Sequence, residues 1–359
     1  MRALPSTRQR HTNNPAATGV PPVPPEDSPK AKDVGGHDIT PRGGGRIDVR
    51  RSVTDRIIAM LEKGGNVFRE RWTRASSRGL PRNGKTGAPY HGANVLLLWD
   101  AVIEAGYSSN VWLTYKQAAA MGAQVRRSEK GVMCAHFERR ALKGEAPSED
   151  ASATDDDPRR AQQGRSFLLC TPFWLFNAAQ IDGLPVEVID QLCYPAAPPG
   201  PPMEMAMRIL AGSQATIRYG FERAMCLTQP DEIRLPWPRR FTSGEALVAT
   251  ALHELVHWSG HPDRLHRAFG DRFGDAAYAF EELVAELGSA FLLGHCGLVD
   301  ATIEGHAAYL DSWLRMLRDD RSAIFTAARL AGEACEFLLS KDLPDQDHPL
   351  EIPQGECAP

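Results

Sequence analysis

Residues 253–257 read His-Glu-Leu-Val-His. On a helix, imidazoles four positions apart stand one turn apart on the same face, so His253 and His257 converge on one metal ion. Glu254 is offset from His253 by about 100°. That offset lets its carboxylate reach a water held by the metal and act as general base. The residue types and their spacing predict metal-assisted hydrolysis.

A catalytic zinc takes three protein ligands and keeps a fourth position open. Two candidates compete for the third place. Asp263 closes the run His-Glu-Leu-Val-His-Trp-Ser-Gly-His-Pro-Asp, and Glu282 lies in the later run Tyr-Ala-Phe-Glu-Glu-Leu-Val-Ala-Glu at 278–286. Glu282 and Glu286 are one turn apart on one face. Glu282 is the favoured ligand, and Glu286 can then hydrogen-bond a ligand histidine and fix its tautomer. Glu281 faces another way, toward solvent or a salt bridge. Leu283, Val284, Leu287 and Phe291 indicate burial of the run, where acids need partners. His261, His266 and His295 read as surface or satisfied imidazoles. Tyr278 is a candidate oxyanion donor. One Zn2+ per chain is expected, with Mn2+ as the alternative.

A second chemistry is written earlier in the chain. Arg71, Trp72, Arg82, Asn83, Lys85 and Tyr90 are followed by Trp112, Tyr115, Lys116, Arg126, Arg127 and Lys130. Cations interleaved with rings suit a single-strand groove: cations follow phosphates, and rings stack on unpaired bases. Residues 46–140 carry a net charge of +9 and residues 166–359 one of −13, hidden within an overall −4. A basic front and an acidic back suggest units with different partners. The competing reading makes the rings core residues and the arginines solubilising. No homeodomain, finger or RNP signature is present, so sequence-specific duplex reading is not indicated.

The elements that must hold these residues follow from pattern. Val53, Ile57, Met60 and Leu61 form a stripe that predicts a helix over 46–64. Residues 93–105 predict a helix stopped by Gly106, and 123–140 two strands joined by a turn at 128–131. Strands are expected near 215–220 and 231–236. Helices are expected from Ser243 to Gly260, over 275–295, over 302–317 and over 320–339. The fold class is α+β in two domains: a small α+β domain at 46–140 and a mainly helical domain with a small sheet at 166–345. An acidic, low-complexity linker at 141–165 separates them. Residues 1–45, rich in Pro and Gly, read as a disordered tail, and 346–359 as a second tail.

Composition excludes several classes. No apolar run approaches the roughly 18 residues of a membrane span, and no apolar stretch near the N-terminus reads as a secretory signal. The seven cysteines are scattered without a Cys-x-x-Cys pair. A disulfide framework and a thiolate zinc site are therefore disfavoured, and the cytoplasm is the expected compartment.

The motifs together resemble the ArdC-type antirestriction proteins of plasmids and other mobile elements. The likeness rests on Arg-Trp-Thr-Arg (71–74), Pro-x-Asn-Gly-Lys-Thr-Gly-x-Pro-Tyr-x-Gly-x-Asn (81–94), Trp-Leu-Thr-Tyr-Lys-Gln-Ala (112–118) and the turn at 126–131. It continues through Phe-Asn-Ala-Ala-Gln-Ile-Asp-Gly-Leu-Pro (176–185), Asp-Glu-Ile-Arg-Leu-Pro (231–236), the stretch 253–267, 278–292 and Tyr-Leu-Asp-Ser-Trp-Leu-Arg-Met-Leu (309–317). The resemblance implies an N-terminal single-stranded-DNA-binding domain, Asn94 included, and a C-terminal zincin-like metallopeptidase domain. There His253, His257 and a Glu of Glu-Glu-Leu-Val-Ala-Glu hold a divalent metal and Glu254 is the catalytic acid-base. It also implies shielding of incoming DNA from restriction enzymes. The chain departs from the pattern at Ser128, where Gly is usual, and in the long acidic insertion at 141–165. Two rival readings stand beside this one: a non-enzymatic DNA-coating protein with a structural metal, and a regulatory metalloprotease that cleaves a repressor or toxin.

Overall fold

The computed structural model describes residues 47–63, 79–141, 166–188, 201–268, 276–298 and 309–341. The expectations for both tails, for nearly all of the linker, and for Arg71 and Trp72 lie outside the described residues.

The first helix, α1 (Val49–Glu62), starts at Asp48, whose carboxylate accepts from the backbone N–H of Arg51 at 3.0 Å. It buries the expected stripe of Val53, Ile57, Met60 and Leu61. After β1 (Arg82–Asn83) comes α2 (Ala93–Ala105), which ends on Gly106 in the left-handed conformation that closes helices. Then follow β2 (Val111–Leu113), α3 (Tyr115–Ala120), β3 (Gln124–Val125), β4 (Val132–Ala141), β5 (Ser166–Asn177) and β6 (Ile181–Asp182). The strands β1, β2, β5 and β4 form one sheet in that order, and β3 pairs with β6 in another.

Two expectations are corrected here. Residues 123–140 do form two strands, but not a hairpin: β3 pairs with β6, and β4 pairs with β5 from Val132↔Leu175 to Ala141↔Ser166. A ten-residue strand finds a full-length partner in β5 that a two-residue β3 cannot offer. The chain beyond 165, expected to open the rear domain, thus first completes the front sheet.

The rear part runs through α4 (Pro202–Gly212), β7 (Thr216–Tyr219), β8 (Met225–Thr228), β9 (Asp231–Leu235), α5 (Gly244–Ser259), α6 (Ala276–Cys296), α7 (Leu310–Asp319) and α8 (Ala323–Leu339). Its sheet has the order β7-β9-β8, with β7 parallel and β8 antiparallel to β9. β8 was not expected: four residues with one exposed Met leave no alternation to read.

The apolar core is continuous across both domains. It includes Val53 and Ile57 of α1, Leu96 and Trp99 of α2, Leu252 and Leu255 of α5, Leu287 and Leu292 of α6, and Ala327 and Ala331 of α8. A smaller cluster of Val111, Leu113, Ala118, Val125 and Ile181 lies under α3. No described helix is long and apolar enough to cross a membrane.

Candidate metal centre

Helix α5 begins at Ser243, whose hydroxyl accepts from the backbone N–H of Ala246 at 3.1 Å. Three turns on, it carries His253 and His257, whose rings lie 4.9 Å apart at 81°. Helix α6 packs directly against it. At the contact stands Gly288: a Cβ there would lie 2.9 Å from both methyls of Val256. The missing side chain lets the two helices approach closely enough for α6 carboxylates to reach the α5 imidazoles.

Glu282 does so. Its Oε2 lies 3.6 Å from His253 Nε2 and its Oε1 3.6 Å from His257 Nε2. One ligand atom from each of the three residues falls within 4.8 Å of the others. Bonds of about 2.0–2.2 Å in a tetrahedral site put ligand atoms about 3.3–3.6 Å apart, so the set would draw in by up to about 1.5 Å to close on a metal. Asp263 is not brought here; its side chain is 88% exposed and pairs with His261.

The far side of each ring meets another carboxylate. Glu286 Oε2 lies 3.8 Å from His253 Nδ1, and Glu281 Oε1 lies 3.3 Å from His257 Nδ1. Glu286 is thus on the expected side of His253, but at a distance longer than the expected hydrogen bond. Of the two expectations for Glu281, the salt bridge is the one found: it is buried, and it pairs with the equally buried Arg267 at 2.7 Å. Sequence reasoning missed Arg267, which lies in the α5–α6 connection, where spacing carries no signal about burial. Glu254 is buried on α5, and its charge is felt by His257, Cys226 and Tyr309. The Tyr278 hydroxyl hydrogen-bonds with Glu282 and Tyr309, and burial together with the Glu282 charge raises its pKa.

The electrostatics ask for a cation. Glu254, Glu281, Glu282 and Glu286 are all buried, and among the described residues Arg267 is the one buried arginine. Burial alone would discharge His257, but Glu281 and Glu282 outweigh it and lift its pKa to about 10. Burial likewise opposes ionisation of Glu282, yet His253 and His257 hold it well below the usual carboxylate range. Protons thus occupy the place a divalent metal would take, and metal and proton compete.

The front surface sorts the remaining candidates. Arg82, Lys85, Lys116, Arg127 and Lys130 are exposed. Tyr115 is 51% exposed, with its hydroxyl accepting from Gln124 Nε2. Lys85 follows Asn83, whose carboxamide oxygen accepts from Gln117 Nε2 on α3, so the loop and the start of α3 adjoin. Trp112 is fully buried and packs edge-on to Tyr107 at 6.0 Å, leaving no face for a base. Asn94 donates to and accepts from the backbone of Ala135, a structural tie. Tyr90 is half-buried, accepts from Asn83 Nδ2, and has its pKa pushed by burial to about 12. Arg126 is spent on Glu129, Asp182 and the Ala179 carbonyl.

A two-domain chain with a histidine pair and a glutamate from the next helix defines a class, and comparison with known proteins specifies it. The family described as the N-terminal domain of anti-restriction factor ArdC matches residues 47–171. The family described as zincin-like metallopeptidase matches residues 204–330. The crystal structure of antirestriction ArdC from plasmid R388, metal-free, is 34% identical with a TM-score of 0.65, covering 82% of this chain and 98% of that one. Its Mn(II)-bound form gives a TM-score of 0.64 at the same identity, covering 84% and 100%. Protein y4eC of Sinorhizobium fredii is 35% identical over 81% of this chain and 91% of its own length. DNA primase TraC of Escherichia coli is 37% identical over 80% of this chain, which spans 27% of that primase's length. The chain belongs to the ArdC family of antirestriction proteins, with a zincin-like domain at its back.

Proposed function

We propose that the protein binds single-stranded DNA through its front domain and holds one zinc ion at His253, His257 and Glu282 as a metallopeptidase. The observation that carries the metal reading is the buried triad, its donor atoms within 4.8 Å of one another amid excess negative charge. The Mn(II)-bound structure of the R388 relative supports the choice of a divalent ion. When bound, the metal polarises a carbonyl and acidifies water. Glu254 takes the proton from the attacking water and hands it to the leaving amine. Glu281 and Glu286 orient the two imidazoles, and Tyr278 stands beside Glu282 as a hydroxyl donor toward the reacting oxygen.

The DNA reading rests on the exposed set Arg82, Lys85, Tyr115, Lys116, Arg127 and Lys130, on the matched ArdC N-terminal domain, and on similarity to part of a DNA primase. In this reading the protein coats entering single strands in the cytoplasm and cleaves a protein met there.

The test combines metal content with function. Protein purified without added metal is analysed by mass spectrometry beside His257→Ala, Glu282→Ala and Asp263→Ala. About one zinc per chain, lost in the first two variants and kept in the third, is expected. Protection of transferred DNA from restriction is then compared for wild type and Glu254→Gln. Equal protection leaves DNA coating as the function and removes the peptidase from it.

A further inference from the structure

Arg267 makes more contacts to the metal centre's supports than any packing role requires. It lies in the turn after α5. Its Nη2 donates to Glu281 Oε1 at 2.7 Å and its Nε to Glu281 Oε2 at 3.1 Å, a two-pronged grip. The same guanidinium donates to the Val256 carbonyl at 2.6 Å and to the Ser259 hydroxyl at 3.0 Å, both on the last turns of α5. Only 3% of its side chain and 4% of that of Glu281 are exposed.

The connection is shaped to deliver it. His266 sits at φ +50°, a left-handed conformation uncommon for a residue with a Cβ. The chain thereby folds back, and the Arg267 N–H donates to the Gly260 carbonyl at 2.9 Å. Arg264 pins the turn from outside, 3.7 Å over the Trp258 ring and paired with Asp231.

Glu281 joins this anchor to the metal site, because the oxygen that Arg267 holds at 2.7 Å also lies 3.3 Å from His257 Nδ1. A fixed carboxylate there holds a proton on Nδ1 and makes Nε2, on the Glu282 side, the nitrogen offered to a metal. The other ligand, His253, has Glu286 at 3.8 Å, and none of the hydrogen bonds of Arg267 goes to Glu286.

We propose that Arg267 is a positioning residue for the metal centre, acting through Glu281 on the tautomer and aim of His257. Its grip also keeps Glu281 from turning into the metal, so that Glu282 rather than its neighbour is the ligand. The inference rests on the metal reading above.

The test uses full-length protein stripped of metal. Zinc affinity is measured by competition with a chromophoric chelator, and the absorption spectrum is recorded after loading with Co2+. Arg267→Met, Arg267→Lys and Glu281→Gln should each weaken zinc binding by about 10–100-fold and shift the cobalt bands. The double variant Arg267→Met/Glu281→Gln should be no weaker than the weaker single, since both remove one linkage. Lysine keeps the buried charge but not the fork, so it and Glu281→Gln carry the test if Arg267→Met does not fold. Arg267→Lys and Glu281→Gln with wild-type affinity and unshifted bands overturn the proposal, as does an additive double variant. A wild type that takes up no zinc, or a His257→Ala that takes up as much, overturns the metal reading itself.

Discussion

Gly288→Ala probes the distance on which the centre depends. The new Cβ would meet both methyls of Val256 at 2.9 Å, where ordinary carbon contacts lie at about 3.5–4.0 Å. The deficit is therefore about 0.6–1.1 Å. Val256 cannot swing clear, because a β-branched residue on a helix has one strongly preferred rotamer and both of its methyls are in the way. The backbones of α5 and α6 must separate instead.

Overpacking of this kind costs about 1–3 kcal/mol, against about 1 kcal/mol gained by replacing a helical glycine. The expected outcome is zero to about 2 kcal/mol of destabilisation. The effect on metal is larger, because ligand distances tolerate only about ±0.2 Å. Val256 adjoins His257, and Gly288 lies two residues beyond Glu286, so the separation reaches the donors. Zinc affinity should fall at least 10-fold in chelator competition. Gly332→Ala on α8 is the control: nothing lies within 4 Å of its Cβ, so it should gain up to about 1 kcal/mol with zinc binding unchanged. If Gly288→Ala gains stability like Gly332→Ala and binds zinc as wild type does, the close approach of α5 and α6 is not what sets the site.

Three further outcomes are expected. In metal-free protein His257 titrates at about 10, against about 6.5 when unfolded. Its contribution is whole below about pH 6.5 and lost as the pH rises through about 10; Tm should fall over that range in chelator, and a flat profile would contradict it. Glu282, with its pKa lowered, contributes in the opposite sense, its share being lost as the pH falls below about 4. Ser128 is held at φ +71°, so Ser128→Gly should relieve about 1–2 kcal/mol of strain less about 0.5–1 kcal/mol of chain entropy, and raise Tm slightly. Replacing Lys85 and Lys116 by Ala should reduce the slope of log affinity for a labelled oligonucleotide against log salt by about 1.4, at about 0.7 per lost phosphate contact; an unchanged slope removes those two lysines from the interface.

What was legible in the sequence was what local spacing encodes. The histidine pair needs only the helical repeat, and the ends of α2 and α5 are marked by Gly106 and Ser243. The choice between Glu282 and Asp263 stayed open because it turns on how near α6 comes to α5, which is set by Gly288 against Val256 and by no interval along the chain. For Glu281 the sequence left solvent and a salt bridge open, because its partner arrives from a connection whose course is fixed by His266 and Arg264. Trp112 was read as a stacking ring because a core aromatic and a groove aromatic have the same neighbours in sequence. The β3–β4 hairpin failed for a related reason: a turn signal shows where a chain bends, while pairing is decided by which strand offers the longer ladder.

The continuity of the core ties the two candidate activities together. Helix α6 carries Glu282 and Glu286 in its first half. In its second half Phe291 lies 6.0 Å from the Trp99 ring of α2, and a Cβ on Gly294 would lie 3.0 Å from that ring. From the other front helix, Thr54 of α1 donates to the Arg321 carbonyl at 2.8 Å, and Arg321 pairs with Asp55 at 2.6 Å. The front helices are thus packed against the element that carries the metal-facing carboxylates and against the entry to α8. A domain so joined does not lose its packing alone: opening α2 exposes the end of α6, and displacing α6 unseats Trp99. A ligand held by either domain stabilises the same packed unit by mass action, so zinc should protect front-domain amides from exchange although none of them lies at the metal.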